Sequence, residues 1–509
     1  MKKIFISTIA ASLLFTLSCE TDFDNSTEDV VVTSGEADFS KYIAIGNSLT
    51  SGFRDNALYI DGQNESYPNL IANQMKLAGG GEFRQPLMAD NNGGMVLGTT
   101  VIQPTKLYIE SFSNGSPVLK NVAATPTTDV AIKLTGTINN MGIPGAKSYH
   151  LVAPGYGDIN GILTGTANPY YVRFSTSSTS TVAGDAAAQK PTFFSLWIGN
   201  NDVLGYASSG GSGIDQKGNL NPASYGPNDI SDPNVVAGSI QAVLDALKAA
   251  GSTKGIIANI PYVTSIPYFT TVPYNPLTPQ ALGANLATLN ASLYGPLKQA
   301  LTAFGAGDRI NLLSSTSSNP VLIKDTSLTN LSAQLTAALT PSLGASTAAA
   351  FGQIYGQARQ ATAQDYVLLT ASAVIATTNP SAPASINVNG VSYPLENQYV
   401  LTKTEAALVK TAIDAYNTSI ASLASSYGLA SVNMNAKMVE LNSASGIQWD
   451  GVRYTTRFIT GGAFSLDGVH LTGRGYAIVA NEFLKAINSK YRSNLPMVNP
   501  NSYSGVTFP

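Results

Sequence analysis

Short, mainly apolar runs that break off at glycine-containing polar turns constrain this 509-residue chain more than any other feature. Tyr42-Ile43-Ala44-Ile45 stops at Gly46-Asn47-Ser48, and residues 192–198 stop at Gly199-Asn200-Asn201-Asp202. Runs this short and continuous read as strands buried on both faces. A third run, 255–260, is stopped by Pro261 and preceded by a well-punctuated helix. Asp232 can cap that helix, Pro233 suits its first turn and Gly251 ends it; Val236, Ile240, Val243 and Leu247 form its apolar stripe. Strand–helix–strand order predicts an α/β fold with a parallel sheet covered by helices.

The remaining segments hang on that frame. Residues 95–137, rich in Thr and Val with a turn at Asn114-Gly115, predict a β-hairpin insertion. Residues 205–231 read as a long loop. Residues 262–400 read as an inserted, mostly helical subdomain, with helical stretches at 331–339 and 348–363 and a small hairpin near Asn389-Gly390. Thr402-x-x-Glu405 is a capping box for a long helix with stripe Val409, Ile413, Tyr416, Ile420 and Leu423, ended by Gly428. A strand is expected over 429–434. A last helix from Thr472 should bury Tyr476, Val479, Phe483 and Ile487, and 493–509 read as an irregular tail.

The amino terminus has the form of a targeting segment. Lys2 and Lys3 precede an apolar stretch, 4–17, shorter than the roughly 20 residues of a membrane span. It ends in Leu17-Ser18-Cys19, similar to the lipobox of bacterial lipoproteins, in which cleavage leaves the cysteine acylated; Cys19 is the chain's one cysteine. Residues 1–18 are therefore expected to be a signal peptide and 19–38 a tether. In that tether Glu20, Asp22, Asp24, Glu28, Asp29, Glu36 and Asp38 precede any base. The run is similar to the acidic spacer of surface-exposed Gram-negative lipoproteins. A cell-envelope, outer-membrane location follows, with the membrane as partner through Cys19 and a folded body over 39–492.

Composition excludes several function classes. Charged residues are 12%, about half the usual 25%, and the net charge is −3, so there is no basic footprint for nucleic acid. One cysteine rules out an internal disulfide framework or a cysteine metal cluster. Two histidines argue against a His-rich metal site. Asp90-Asn91-Asn92-Gly93 and Asp158-Ile159-Asn160-Gly161 lack the downstream glutamate of a calcium loop and read as turns.

Ser48, between a buried strand and an expected helix, stands where parallel sheets present functional side chains, with helix N–H groups behind it to meet a developing oxyanion. A serine needs a base to become nucleophilic. If that base is a histidine, only His150 and His470 are available. Asp467, three residues before His470 on a tight turn, can hold the hydrogen on Nδ1 and leave Nε2 for the serine proton. His150 has no acid nearby in sequence and reads as a loop or packing residue.

At these residues the chain resembles the GDSL, or SGNH, hydrolase superfamily, in its large bacterial lipoprotein branch. Gly46-Asn47-Ser48-Leu49 resembles the first family block, Asn140-Met141-Gly142-Ile143-Pro144-Gly145 the second, Gly199-Asn200-Asn201-Asp202 the third and Asp467-Gly468-Val469-His470 the fifth, in family order. The wider stretches 47–74 and 458–488 share the likeness. The resemblance implies an SGNH-type three-layer sandwich carrying the β-hairpin and helical insertions. It also implies Ser48 as nucleophile, His470 as base and Asp467 as its orienting acid. The oxyanion hole would be the N–H groups of Ser48 and Gly145 and the amide of Asn201. The implied activity is hydrolysis of carboxylic esters through an acyl-enzyme, as in a carboxylesterase, acetylesterase or lipase. The substrate would be an acylated glycan or a lipid ester, and no cofactor or metal is required.

Two departures stand out: Asn47 occupies the position of the Asp in the family's name motif, and the span from Asp202 to Asp467 is far longer than in minimal members. With the large uncharged insertions, Asn47 also motivates another reading, a catalytically silent binding or adhesion lipoprotein on the same scaffold.

Overall fold

The computed structural model describes residues 31–113 and 116–509. The predicted signal peptide, Cys19 and the Asn114-Gly115 turn lie outside the described residues. Five strands form the central sheet: β1 (Tyr42–Gly46), β2 (Asn140–Gly142), β3 (Phe193–Trp197), β4 (Gly255–Ala258) and β5 (Ala430–Val432). Their order is β5-β4-β3-β1-β2 and every neighbouring pair is parallel. All residues of β1, β3 and β4 are buried, which is why these strands are mainly apolar and not alternating; the one hydroxyl of β3, Ser195, is paired with Tyr42 Oη at 2.7 Å. Gly46 pairs with both Trp197 and Gly142, so β1, β2 and β3 end level with one another. The chain steps from β1 to one side for β2 and to the other for β3. The carboxyl ends of β1 and β3 therefore flank the topological switch point, where open α/β sheets bind ligands.

Helices flank this sheet. They include α1 (Tyr67–Lys76), α2 (Asn201–Ser208), α3 (Pro233–Ala249), α4 (Lys403–Ser426), α5 (Met434–Leu441) and α6 (Gly473–Tyr491). Trp197 of β3 meets Tyr67 of α1 at 5.7 Å and Phe483 of α6 at 6.1 Å between ring centroids. Phe194, three residues before Trp197 on β3 and so on the opposite face, lines a crevice with Leu244 of α3. The caps fall where the sequence puts them. Asp232 accepts from the N–H groups of Asn234 and Val235, and Thr402 and Glu405 satisfy each other's backbone N–H. The stripe of α3 and that of α6 are buried, as are four of the five residues in the stripe of α4.

Residues 95–121 fold into two hairpins, Met95–Leu97 with Thr100–Gln103 and Leu107–Ser113 with Ser116–Asn121. Between 277 and 400 a second apolar cluster gathers Tyr294, Leu301, Leu335 and Tyr355. The predicted helix over 348–363 instead ends at Tyr355, and Ala358–Gln360 pairs antiparallel with Leu322–Lys324. That strand seats the Arg359 guanidinium between the carboxylates of Asp325 (2.7 Å) and Asp365 (2.6 Å), a tertiary gain that overrides the helix propensity of an Ala-rich run. Asn389-Gly390 lies among isolated bridges and forms no strand hairpin, because the N–H groups of Val391, Ser392 and Tyr393 all turn back onto the Val388 carbonyl instead of continuing a ladder. The loop predicted from 205 starts later, after Ser208, since α2 continues through Gly205.

Both ends of the described chain are docked. From Val31 onward the segment read as a free tether is tied down: Glu36 N–H donates to the Tyr491 carbonyl at 2.7 Å and Ala37 is buried. The tail after α6 is irregular apart from a turn at Pro500–Ser502, yet Leu495 and Val498 are buried and Asn481 bonds both backbone groups of Val498. No helix among the described residues is long and apolar enough to cross a membrane.

Candidate active site

The turn after β1 is built for a close approach. A Cβ on Gly46 would lie 2.2 Å from Thr50 Oγ1 and 2.4 Å from the Trp197 carbonyl oxygen, so only glycine lets the chain bend here. Buried Asn47 follows as a cap, its Oδ1 accepting from Leu49 N–H at 3.0 Å. Its Nδ2 donates to Asn200 Oδ1 at 3.2 Å, joining the ends of β1 and β3. A carboxylate at this position could accept from Leu49 but could not donate to Asn200, so asparagine keeps the turn and adds a tie across the switch point. Ser48 then opens a single helical turn, Ser48–Ser51, closed by Gly52. The helix expected behind Ser48 is present but only four residues long, and so short a turn carries little macrodipole. What it offers is the Ser48 N–H itself, which makes no hydrogen bond among the described residues.

His470 reaches that turn from 422 positions away. Its Nε2 lies 2.9 Å from Ser48 Oγ, and its Nδ1 lies 2.9 Å from Asp467 Oδ2. With the carboxylate accepting from Nδ1–H, Nε2 is the acceptor for the serine hydroxyl. The imidazole packs against Phe53 at 4.7 Å between centroids. Asp467 is fully partnered: Oδ1 accepts from the N–H groups of Val469 (2.9 Å) and His470 (2.8 Å) and from Ser465 Oγ (3.2 Å), and Oδ2 also accepts from Asn56 N–H (3.0 Å). Burial alone would raise this carboxyl, but the imidazole and these N–H donors outweigh it and hold Asp467 well below the usual carboxylate range.

Two residues that sequence reasoning missed fix the Asp467 turn. Asp55 N–H donates to Ser465 Oγ at 3.0 Å, its Oδ1 accepts from Leu466 N–H at 3.1 Å, and Asn56 supplies the bond to Asp467. Both sit in the left-handed region, at φ 52° and 60°, which aims successive N–H groups at the same loop. The available signal was the Asp-Asn pair itself, since these types tolerate that conformation best after glycine. Burial raises the Asp55 carboxyl, against the hydrogen bonds from Tyr59 and Leu466.

The three expected oxyanion donors are only partly assembled. Asn201 opens α2, and its Nδ2 donates to the Ala146 carbonyl at 2.9 Å, which uses one of the amide's two hydrogens. Ser48 and Asn201 line one cleft; Gly145 is not part of that lining. Gly145 stands exposed at φ +81°, with only Asn168 Nδ2 within 4.0 Å of where a Cβ would be, and its N–H is unbonded among the described residues. Asp202, the last residue of the Gly199 turn, is wholly buried and serves this segment: it accepts from Ser148 N–H and Ser148 Oγ, both at 2.8 Å. Burial raises its carboxyl, opposed by its bonds to Ser148 and Ser231. His150 is remote in role. Its ring stacks on Tyr156 at 4.5 Å, its Nδ1 accepts from Lys147 N–H at 3.1 Å, and burial pushes it down to about 4.

A cleft beside Ser48 opens to solvent. Ser48, His470, Asn47, Asn200 and Asn201 supply its polar end. A hydroxyl, an imidazole and a carboxylate in one hydrogen-bonded line, at the mouth of such a cleft, can perform nucleophilic attack with proton shuttling. Comparison with known proteins adds no relative: no family model matches the chain, and no curated protein and no solved structure matches it at a significant level.

Proposed function

We propose that this protein is a serine hydrolase of SGNH type, a three-layer sandwich that cleaves carboxylic esters through an acyl-enzyme. The observation that carries the reading is the Ser48–His470–Asp467 line, two bonds of 2.9 Å, at the sheet's switch point. Ser48 Oγ attacks the ester carbonyl while its proton passes to His470 Nε2. The oxygen that gains charge meets the N–H of Ser48 and the amide of Asn201, while Gly145, next to the Ala146 carbonyl that Asn201 bonds, stands outside the cleft lining. His470 returns the proton to the departing alcohol as the carbon–oxygen bond breaks. Water then gives a proton to the same nitrogen and attacks the acyl-enzyme, releasing the acid and restoring Ser48. Each proton has a donor and an acceptor among these groups, so no cofactor enters the cycle. The lipobox-like Leu17-Ser18-Cys19 supports a tethered enzyme at the cell envelope, an outer-membrane lipoprotein with the bilayer as its anchor.

A fluorophosphonate probe tests the reading: it should label Ser48, located by peptide mass spectrometry, and block hydrolysis of p-nitrophenyl acetate. Folded protein that resists labelling would instead favour a silent binding lipoprotein. Asn201→Ala should lower kcat by roughly 10²–10³-fold with little change in KM, because the lost donor acts on the transition state.

A further inference from the structure

The cleft is strongly polarised along its length. Beyond the polar end at Ser48, its walls come from β3, α5, α6 and the loops after β4 and α5, and they are almost wholly apolar. Trp197, Met434, Met438, Leu441, Ile447 and Phe464 are representative. Lys437 is the only Lys, Arg, Asp or Glu in the lining, and its ammonium is taken by Glu440 at 2.6 Å and Glu482 at 3.3 Å, so it presents its stem. Apolar side chains from β3, α5, α6 and the intervening loops line the cleft, a longer wall than an acetyl group could touch. A sugar would find no hydrogen-bonding partners along such walls and would leave its hydroxyls unpaired.

We infer that this recess holds the acyl chain of a medium- or long-chain fatty ester, so that the enzyme selects lipid-type acyl groups over acetyl groups. The inference rests on the hydrolase reading and narrows it. The two halves of the ligand are matched by the two ends of the cleft: a carbonyl against Ser48, His470 and Asn201, and hydrocarbon against the apolar wall. The acyl half belongs in the recess because it must stay bonded to Ser48 while the alcohol, once protonated by His470, leaves to water. Met434 and Met438, one helical turn apart on α5, present unbranched thioethers that adapt to chains of differing length.

The test uses the full-length protein with two substrate series: p-nitrophenyl esters of acetyl, butyryl, octanoyl and lauroyl acids, and alkyl acetates of increasing alcohol length. In the first series kcat/KM should rise about threefold to fourfold per methylene until the recess is filled. In the second it should stay nearly flat. Met438→Phe and, separately, Met434→Phe should each lower the octanoyl-to-acetyl ratio at least about fivefold, a ratio that does not depend on the fraction of protein folded. A readout independent of turnover comes from Trp197, one of two tryptophans. In a Trp449→Phe, Ser48→Ala background, octanoate should change its fluorescence saturably.

A flat or falling acyl series, or a rise along the alkyl acetates instead, would overturn the inference while Ser48 labelling left the hydrolase reading intact. Octanoate binding without any labelling of Ser48 would do the reverse, keeping the apolar-chain site and removing the hydrolase.

Discussion

On the proposed mechanism Ser48→Ala should lower ester hydrolysis by about 10⁴-fold or more, and the variant should melt within a few degrees of the wild type. The rate should fall because, among the described residues, no other hydroxyl shares the 2.9 Å contact with His470 Nε2; what would survive is the contribution of the oxyanion donors and of substrate binding. The fold tolerates the change because Ser48 Oγ makes this one hydrogen bond, to a group that can turn to water at the open cleft. Steady-state kinetics on a p-nitrophenyl ester and a thermal melt measure both halves. A variant with a tenth of the wild-type rate would mean that Ser48 does not carry the chemistry.

Asp467→Asn should cost a similar factor, roughly 10⁴ in kcat, for a different reason. If the new amide oxygen keeps the N–H groups of Val469 and His470, its NH₂ replaces Oδ2 and points at Asn56 N–H and at Nδ1. The imidazole then satisfies that NH₂ by accepting at Nδ1, which moves its hydrogen to Nε2, where Ser48 needs an acceptor. Asn56 N–H is left facing a donor, so stability should fall by about 1–3 kcal/mol. The pH dependence has a definite sign. Asp467 is depressed in the folded protein, so its contribution is complete above the ordinary carboxylate value of about 3.9 and is lost as pH falls through the lower folded value. The stability gap between variant and wild type should therefore be constant from about pH 5 upward and shrink in stronger acid. Denaturant midpoints across that range measure it, and a gap that widened on acidification would contradict the assignment.

Much of the frame was legible because it is local. Buried strands declare themselves as mainly apolar runs of about five residues, and β1, β3 and β4 are of that kind. Caps are equally local: Asp232 with Pro233, Thr402 with Glu405 and Thr472 ahead of α6 all lie within a turn of the helices they start. The region 277–400 was harder, because alanine-rich stretches carry helix propensity without saying where packing stops them. Arg359 illustrates this: nothing within a helical window of it announces Asp325, 34 positions earlier, as its partner. The pair Asp55-Asn56 announces a turn by its residue types, but not what that turn serves. Its purpose is a loop more than 400 positions downstream.

By itself, then, the order of residues determined the class of fold, the punctuation of its main helices, and a short list of side chains able to act as nucleophile, base and acid. Those depend on periodicity, capping and residue chemistry, which act over ten residues or fewer. Tertiary structure alone decided that Ser48 and His470 meet, that Asp55 and Asn56 clamp the Asp467 turn, that Gly145 stands outside the cleft lining, and that walls from residues 197 to 479 enclose an apolar recess. Such contacts depend on where a parallel sheet sets down strand ends that are hundreds of positions apart, and no local pattern encodes that placement.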